Sequence, residues 1–180
     1  MIVTIIGSRE TPKSVLDKMT EVAAWMMRTG IIVRSGAAGG ADSTVNEAYK
    51  LNCEQSRMQQ MPEVYIPWSG FGKDIQYGIN YIVKGDDVEA RKIAKTIHPA
   101  WERCSRVAQA LHTRNVCQIL GADINTPSNV VLYWCKEKAG RPTGGTATAV
   151  SLAMYNNVKT VNMLHDNWAQ ELRKALGMPI

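Results

Sequence analysis

Short apolar runs rich in β-branched residues alternate with helix-forming segments along almost the whole 180-residue chain. The first run, residues 2–6, is nearly continuous in Ile, Val and Thr and ends at Gly7, which is typical of a buried parallel strand. The next segment has a helical apolar period between Pro12 and Gly30. This alternation predicts parallel strands joined by right-handed crossovers, with helices on both faces of one sheet.

Five apolar runs of this kind predict the strands of the core. They end near Ile6, Ser35, Ile66, Trp134 and Leu164. We therefore expect one α/β domain over residues 1–180, a three-layer Rossmann-like sandwich whose five-stranded parallel sheet has the order 3-2-1-4-5. The glycine-rich stretch at about 68–97 is irregular and is predicted to form an insertion or lid. A ligand of such a sheet binds beyond the carboxyl ends of the strands, where the winding reverses between strands 1 and 4.

The composition excludes several classes of protein. Hydrophobic residues make up 45% and charged residues 21%, which are globular values and exclude a disordered or fibrous chain. No apolar run approaches the roughly 20 residues of a membrane span, and the first residues lack the features of a secretion signal. A cytoplasmic protein without a membrane partner is expected. No metal site is expected either, because the cysteines lack the close spacing of zinc-ligand pairs: Cys53, Cys104, Cys117 and Cys135.

The formal net charge of +5 is concentrated in one segment. Residues 91–114 hold six basic residues and one acidic residue, whereas the rest of the chain is balanced. A helix beginning at Pro99 is predicted to carry Arg103, Arg106 and Arg114 on one side. Such a surface is either a solvated helix face or a binding surface for phosphate, on a small nucleotide or on a nucleic acid.

Three glycine loops fall at the predicted ligand edge: the first glycine loop at residues 7–9, the second at 35–42 and the third at 140–146. Glycine allows close approach of the backbone to a ligand, and the helix N-terminus behind each loop suits phosphate. Asp42 fits either a helix cap or a ligand to ribose or base, and Trp134 fits either core packing or base stacking. The candidate ligand-binding residues are Gly7, Ser8, Arg9, Ser35, Gly36, Gly39, Gly40, Asp42, Arg114, Asn115, Trp134, Gly144, Gly145 and Thr146.

Two common phosphate motifs are absent. Neither Gly-x-x-x-x-Gly-Lys-Ser/Thr nor Gly-x-Gly-x-x-Gly occurs in the chain. No acidic residue ends strand 2 to hold a ribose, since Arg34-Ser35 stands there. These absences argue against a kinase, an ATPase or an ordinary dehydrogenase.

Three of these segments resemble the SLOG superfamily of Rossmann-like nucleotide-binding proteins. They are Ile-Ile-Gly-Ser-Arg at residues 5–9, Ser-Gly-x-x-x-Gly-x-Asp at 35–42 and Gly-Gly-Thr at 144–146. That superfamily includes the Lonely Guy phosphoribohydrolases, DprA-type DNA-processing proteins and YpsA-like proteins. His98-Pro99 and the run Arg114-Asn115-x-x-Gln118-x-Leu120-Gly121 are most similar to small DprA-like members, many of them encoded by phages. The resemblance implies a nucleotide-binding domain that often forms homo-oligomers.

The same resemblance bears on catalysis. In Lonely Guy enzymes a glutamate after the glycine loop serves cleavage of an N-glycosidic bond, and its position falls on Ser151 here. The Arg-Lys pair of those enzymes corresponds to Arg114-Asn115. A carboxylate normally stabilises the developing oxocarbenium ion or activates water, so its loss disfavours hydrolysis. Glu47, on the predicted helix behind the second glycine loop, is the nearby carboxylate that would take the place of the missing glutamate.

Three functions follow as expectations. The first is binding of a nucleotide or nucleotide derivative, as a sensor or sequestering protein, with no cofactor named by the sequence. The second is a hydrolase that cleaves an N-glycosidic or ribose-phosphate bond of a nucleotide. The third is DprA-like binding of single-stranded DNA, with Arg103, Arg106 and Arg114 along the DNA backbone.

Overall fold

A computed structural model describes residues 1–72, 76 and 78–179. Its main sheet has six parallel strands: β1 (Ile2–Gly7), β2 (Ile32–Ser35), β3 (Glu63–Ile66), β4 (Tyr81–Val83), β5 (Val130–Trp134) and β8 (Lys159–Asn162). A small antiparallel hairpin holds β6 (Glu137–Lys138) and β7 (Arg141–Pro142). The helices are α1 (Lys13–Arg28), α2 (Ser43–Glu54), α3 (Val88–Ile97), α4 (Arg106–Leu120), α5 (Gly144–Tyr155) and α6 (Trp168–Ala175).

The strand order is β4-β3-β2-β1-β5-β8. Five of these strands reproduce the predicted order 3-2-1-4-5, and the α/β Rossmann-like architecture is confirmed. The predicted count of five was wrong, because β4 adds a sixth strand beside β3. That strand has only three residues, which is too short for a period of two to stand out in the sequence.

The sheet is buried between two hydrophobic clusters, one on each face. Alternate residues of a strand supply opposite clusters, as Ile5 and Ile6 do in β1. The first cluster packs against α1, α2 and α6, and the second packs against α3, α4 and α5. The three layers therefore agree with the predicted sandwich.

The connection after α3 differs from the prediction of a helix starting at Pro99. A short 3-10 turn spans Trp101–Arg103, and α4 begins only after Ser105, whose side chain caps the helix by accepting from the Ala108 N–H. This later start changes which residues face inward. Val107, in the first turn of α4, is 57% exposed.

The end of the last strand also differs from the prediction. The last strand ends at Asn162 rather than near Leu164, because the Asn162 side chain accepts from the Leu164 N–H and turns the chain. The proposed insertion or lid at 68–97 includes residues 73–75 and 77, which lie outside the described residues. The described part of that stretch contains β4 and α3, which belong to the sheet and to its helical layer.

In the part of the chain that the structure describes, none of the helices combines the length and apolarity that a bilayer crossing requires.

Candidate functional site

A cavity of about 370 Å³ lies at the carboxyl end of β1. Strand β1 pairs with β2 on one side and with β5 on the other, so the cavity sits where the winding of the sheet reverses. The predicted residues that line it are Gly7, Ser8, Arg9, Gly39, Asp42, Arg114, Asn115, Gly144, Gly145 and Thr146. The fold thus brings the three glycine loops together with one face of α4.

The first two glycine loops are fixed against each other and against β5. The Ser8 N–H donates to the Trp134 carbonyl at 3.0 Å, which continues the strand pairing into the loop. Gly40 has a φ of +90°, and a Cβ atom there would lie 2.6 Å from the Ser8 carbonyl oxygen. Only glycine fits this crossing without displacing backbone, so the wall of the cavity is formed by tightly packed main chain.

A buried ion pair lies at the base of the cavity. Arg114 Nη1 donates to Asp42 Oδ2 at 3.0 Å, and the two side chains are only 3% and 8% exposed. The guanidinium lies 5.8 Å from the ring centre of Phe71. Arg114 is therefore held in place from α4 by an acid at the start of α2, which fixes a permanent cation beside the cavity.

The amide of Gln118 completes this network. We assign it in the orientation in which its oxygen accepts from the Gly36 N–H at 2.7 Å and from Arg114 Nη1 at 3.0 Å. Its nitrogen then donates to Asn115 Oδ1 at 3.0 Å. The second glycine loop is thereby hydrogen-bonded to the same face of α4 that carries Arg114.

Burial raises the pKa of Asp42, and the neighbouring Arg114 guanidinium opposes that rise. The Nε atom of Arg114 is buried and has no hydrogen-bond partner among the described residues. The rim of the cavity carries Glu10, which pairs with Lys136 at 2.8 Å, and the pKa of Glu10 is lowered by this partner. Arg9, also on the rim, is exposed.

The third glycine loop presents the N-terminus of α5 to the cavity. The Thr143 hydroxyl donates to the Lys136 carbonyl at 2.8 Å, so no side chain caps this helix. Gly144 has a φ of +71°, which favours glycine, whereas Gly145 has no other atom within 4 Å of where its Cβ would lie. The first-turn N–H groups of a helix have no partner within the helix and suit an anion.

Sequence reasoning missed four polar residues of the cavity, Glu10, Thr143 and the two α4 residues His112 and Gln118. The last two lie on one helix. Both follow the helical spacing of α4 that Arg114 and Asn115 share, and this spacing is the signal that identifies them. Burial, together with electrostatic repulsion from His98 and Arg114, lowers the pKa of His112 to about 4. At neutral pH His112 is therefore an uncharged ring.

Four predicted residues do not line the cavity: Ser35, Gly36, Gly40 and Trp134. The Ser35 hydroxyl donates to the Ile5 carbonyl at 2.6 Å and so ties β2 to β1. Gly36 leaves room for the Arg114 side chain, and Gly40 leaves room for the backbone of the first glycine loop. Trp134 is 5% exposed and packs in the core, which is the packing alternative given above.

The expected single basic face of α4 was wrong. Arg103 lies in the 3-10 turn and Arg106 at the start of α4, and both are exposed, whereas Arg114 is 2% exposed. Ser151 and Glu47 are exposed and do not line the cavity, in contrast to the carboxylates of Glu10 and Asp42.

The fold has known counterparts. One is the Moco carrier protein of Chlamydomonas rheinhardtii. Its structure matches with a TM-score of 0.51 at 16% sequence identity, over 97% of this chain and 82% of that chain. The Rossmann-like resemblance predicted from the sequence is thus confirmed as a likeness of fold.

Two DNA processing proteins A also match, each with a TM-score of 0.47. The Helicobacter pylori protein, described for its single-stranded DNA binding mode, is 12% identical over 99% of this chain and 74% of that chain. The Streptococcus pneumoniae protein is 13% identical over 98% of this chain and 55% of that chain. No protein-family model matches the sequence, and a search of curated proteins found no significant match.

Proposed function

We propose that the chain binds a nucleotide or nucleotide-derived ligand in the cavity at the carboxyl end of β1, as a sensor or sequestering protein. The observation that carries the proposal is the meeting of three glycine loops, the uncapped N-terminus of α5 and the buried Arg114 around one cavity. Its volume of about 370 Å³ lies in the range of small-molecule sites.

The two ends of the cavity suit different parts of such a ligand. A phosphate group fits the third glycine loop, where backbone N–H groups and the helix dipole favour an anion. The sugar and base then extend toward α4, where Asn115 offers an amide and Ala108 and Leu111 offer apolar contact. Arg114, at the base of the cavity, supplies positive charge without leaving Asp42, because a guanidinium has five N–H donors.

Binding without turnover is favoured over hydrolysis by the placement of the carboxylates. The position that carries a glutamate in Lonely Guy enzymes holds the exposed Ser151, outside the cavity. Of the carboxylates that do line the cavity, Asp42 is buried against Arg114, whereas Glu10 is exposed on the rim beside Lys136. A carboxylate buried in an ion pair and one exposed on the rim both differ from the positioned carboxylate that stabilises an oxocarbenium ion.

Calorimetry with nucleosides, nucleoside mono-, di- and triphosphates and inorganic phosphate tests the proposal. We expect at least one phosphorylated ligand to bind at least ~10-fold more tightly than its nucleoside, and chromatography to recover it unchanged. Release of a free base would make the chain a hydrolase. Binding to a single-stranded oligonucleotide that falls with salt and resists competition by mononucleotides would instead assign it to DNA.

A homo-oligomer is part of the same proposal, from the resemblance to SLOG proteins. Light scattering on the purified chain tests it. A mass of 19.9 kDa across the concentration range would show a monomer.

A further inference from the structure

Three metal-ligating side chains converge beside the cavity, outside the phosphate-binding elements. They are His98 at the end of α3, Cys104 after the 3-10 turn and His112 in the middle of α4. One ligand atom from each lies within 4.8 Å of the other two. We propose that His98, Cys104 and His112 form a binding site for a zinc-class divalent cation at the edge of the cavity, which His112 also lines.

The distances fit a tetrahedral ion. Cys104 Sγ lies 3.7 Å from His98 Nδ1. The edge between a sulfur and a nitrogen ligand of tetrahedral zinc is about 3.6 Å, given Zn–S near 2.3 Å and Zn–N near 2.0–2.1 Å. The rings of His98 and His112 have their centres 4.3 Å apart. The sulfur and one imidazole nitrogen are thus already at the separation of two ligands of one ion.

The connection between α3 and α4 is built to hold these residues. Trp101 is 7% exposed and anchors the 3-10 turn, and its carbonyl accepts from the Gln109 side chain of α4 at 3.3 Å. The Cys104 N–H donates to the same carbonyl at 3.0 Å. Cys104 is therefore fixed against α4, opposite His112.

A second observation points to a missing partner at this place. The Nδ1 atom of His112 is buried and has no hydrogen-bond partner among the described residues, although buried polar atoms are normally paired. His98 Nδ1 accepts a 3.2 Å bond from the Ala100 N–H and lies 3.7 Å from Cys104 Sγ, and its lone pair is available to a metal in exchange for these contacts. Both rings can thus supply a nitrogen.

The donor set defines the class of metal. One thiolate and two imidazoles favour Zn²⁺ and Co²⁺ over Mg²⁺ and Ca²⁺, which prefer oxygen. Binding deprotonates the Cys104 thiol, so one sulfur–metal bond forms and one proton passes to solvent for each ion. Three protein ligands leave a fourth position, as in zinc sites that also take water or a substrate.

Titration of the chelator-treated, reduced chain with Co²⁺ tests the site directly. We expect one equivalent to bind, with a thiolate-to-cobalt charge-transfer band and the visible bands of tetrahedral cobalt, both abolished by Zn²⁺. Absence of saturable binding, or a spectrum without the thiolate band, would overturn the proposal.

Variants identify the ligands. Cys104→Ser and His112→Asn should each weaken Co²⁺ binding by more than ~100-fold, since even outer-shell losses cost 10–100-fold. The exposed Cys53 and His165 provide matched controls, and Cys53→Ser and His165→Asn should bind as the parent does. Unchanged affinity in Cys104→Ser would refute the assignment.

Alkylation of the unmodified sequence gives a readout that needs no variant. With iodoacetamide and mass spectrometry, Zn²⁺ should protect Cys104 while Cys53 reacts at the same rate with and without the metal. Equal labelling of Cys104 in both conditions would contradict the site.

Discussion

The guanidinium of Arg114 packs directly against the α-carbon of Gly36, so closely that a Cβ atom at Gly36 would lie 1.4 Å from Nη1. The same Cβ would lie 2.5 Å from Asp42 Oδ2. Gly36→Ala must therefore displace the buried ion pair. We expect the free energy of unfolding to fall by about 1–3 kcal/mol, as for other overpacked sites, and nucleotide binding to weaken by at least ~10-fold. Chemical denaturation and calorimetry measure the two effects.

Gly39→Ala is the matched control for that substitution. Gly39 lies in the same loop, and no other atom lies within 4 Å of its Cβ position. The free energy of unfolding of Gly39→Ala should stay within about 0.5 kcal/mol of that of the parent chain. Equal destabilisation by both variants would show that the loop backbone, rather than the contact with Arg114, sets the requirement for glycine.

The Arg114–Asp42 pair predicts strong coupling between two substitutions. Arg114→Met leaves the Asp42 carboxylate buried without its cation, which we expect to lower the free energy of unfolding by about 3–5 kcal/mol. Adding Asp42→Asn should recover a large part of that loss. Unfolding of the parent, the two single variants and the double variant gives the coupling energy, and additive losses would contradict the pairing.

The Arg114→Met variant should also depend on pH in a defined direction. Burial raises the pKa of Asp42, and removal of the opposing guanidinium raises it further. A carboxyl group with a raised pKa in the folded state is most favourable when protonated, so the variant regains stability as the pH falls through that pKa. Denaturation of parent and variant at several pH values below 7 measures this difference.

Gly145→Val should separate ligand binding from folding. In the free chain its side chain meets open space, and the Gly145 φ is outside the left-handed region, so we expect a stability change below about 1 kcal/mol. In the complex the valine occupies the place proposed for phosphate, and the ligand-induced rise in melting temperature should disappear. Ser151→Val, later in the same helix and outside the cavity, should keep that rise. A retained rise in Gly145→Val would move the phosphate elsewhere.

The buried Tyr133 predicts a loss of stability in alkali. Burial raises its pKa to about 12 from 10.0. Between these values the unfolded chain has released the phenolic proton and the folded chain retains it, so stability falls as the pH rises. Tyr133→Phe should make that fall shallower by up to about 2 kcal/mol over the window. Tyr155→Phe, at a residue that is 83% exposed, should leave the profile of the parent unchanged.

The sheet was predictable because each long strand carries its own local signal. The continuous apolar runs of β1 and β5 fix both their burial and their parallel pairing, and the order of the elements then leaves few topologies. The three-residue β4 has no such signal. The late start of α4 depends on the Ser105 cap, and the sequence also offers a start signal at Pro99.

The candidate site was predictable where residues share a loop and not where they meet across the chain. Arg114 was expected on one helix face with Arg103 and Arg106, as either a solvated face or a phosphate-binding surface, and its burial was not predicted. Its burial depends on Asp42, 72 residues away. The approach of Cys104 to both histidines likewise depends on the 3-10 turn, and the spacing of the three residues matches none of the usual metal-binding patterns.

The Ser8–Trp134 hydrogen bond bears on which residues determine the ligand selectivity of this cavity. The backbone wall that it anchors is already in place before a ligand arrives, so association orders little main chain. Because this wall is fixed, the selectivity of the cavity depends on the side chains opposite it. Substitutions of the α4 side chains that line the cavity, Ala108, Leu111 and Asn115, can therefore change which ligand binds without changing the fold.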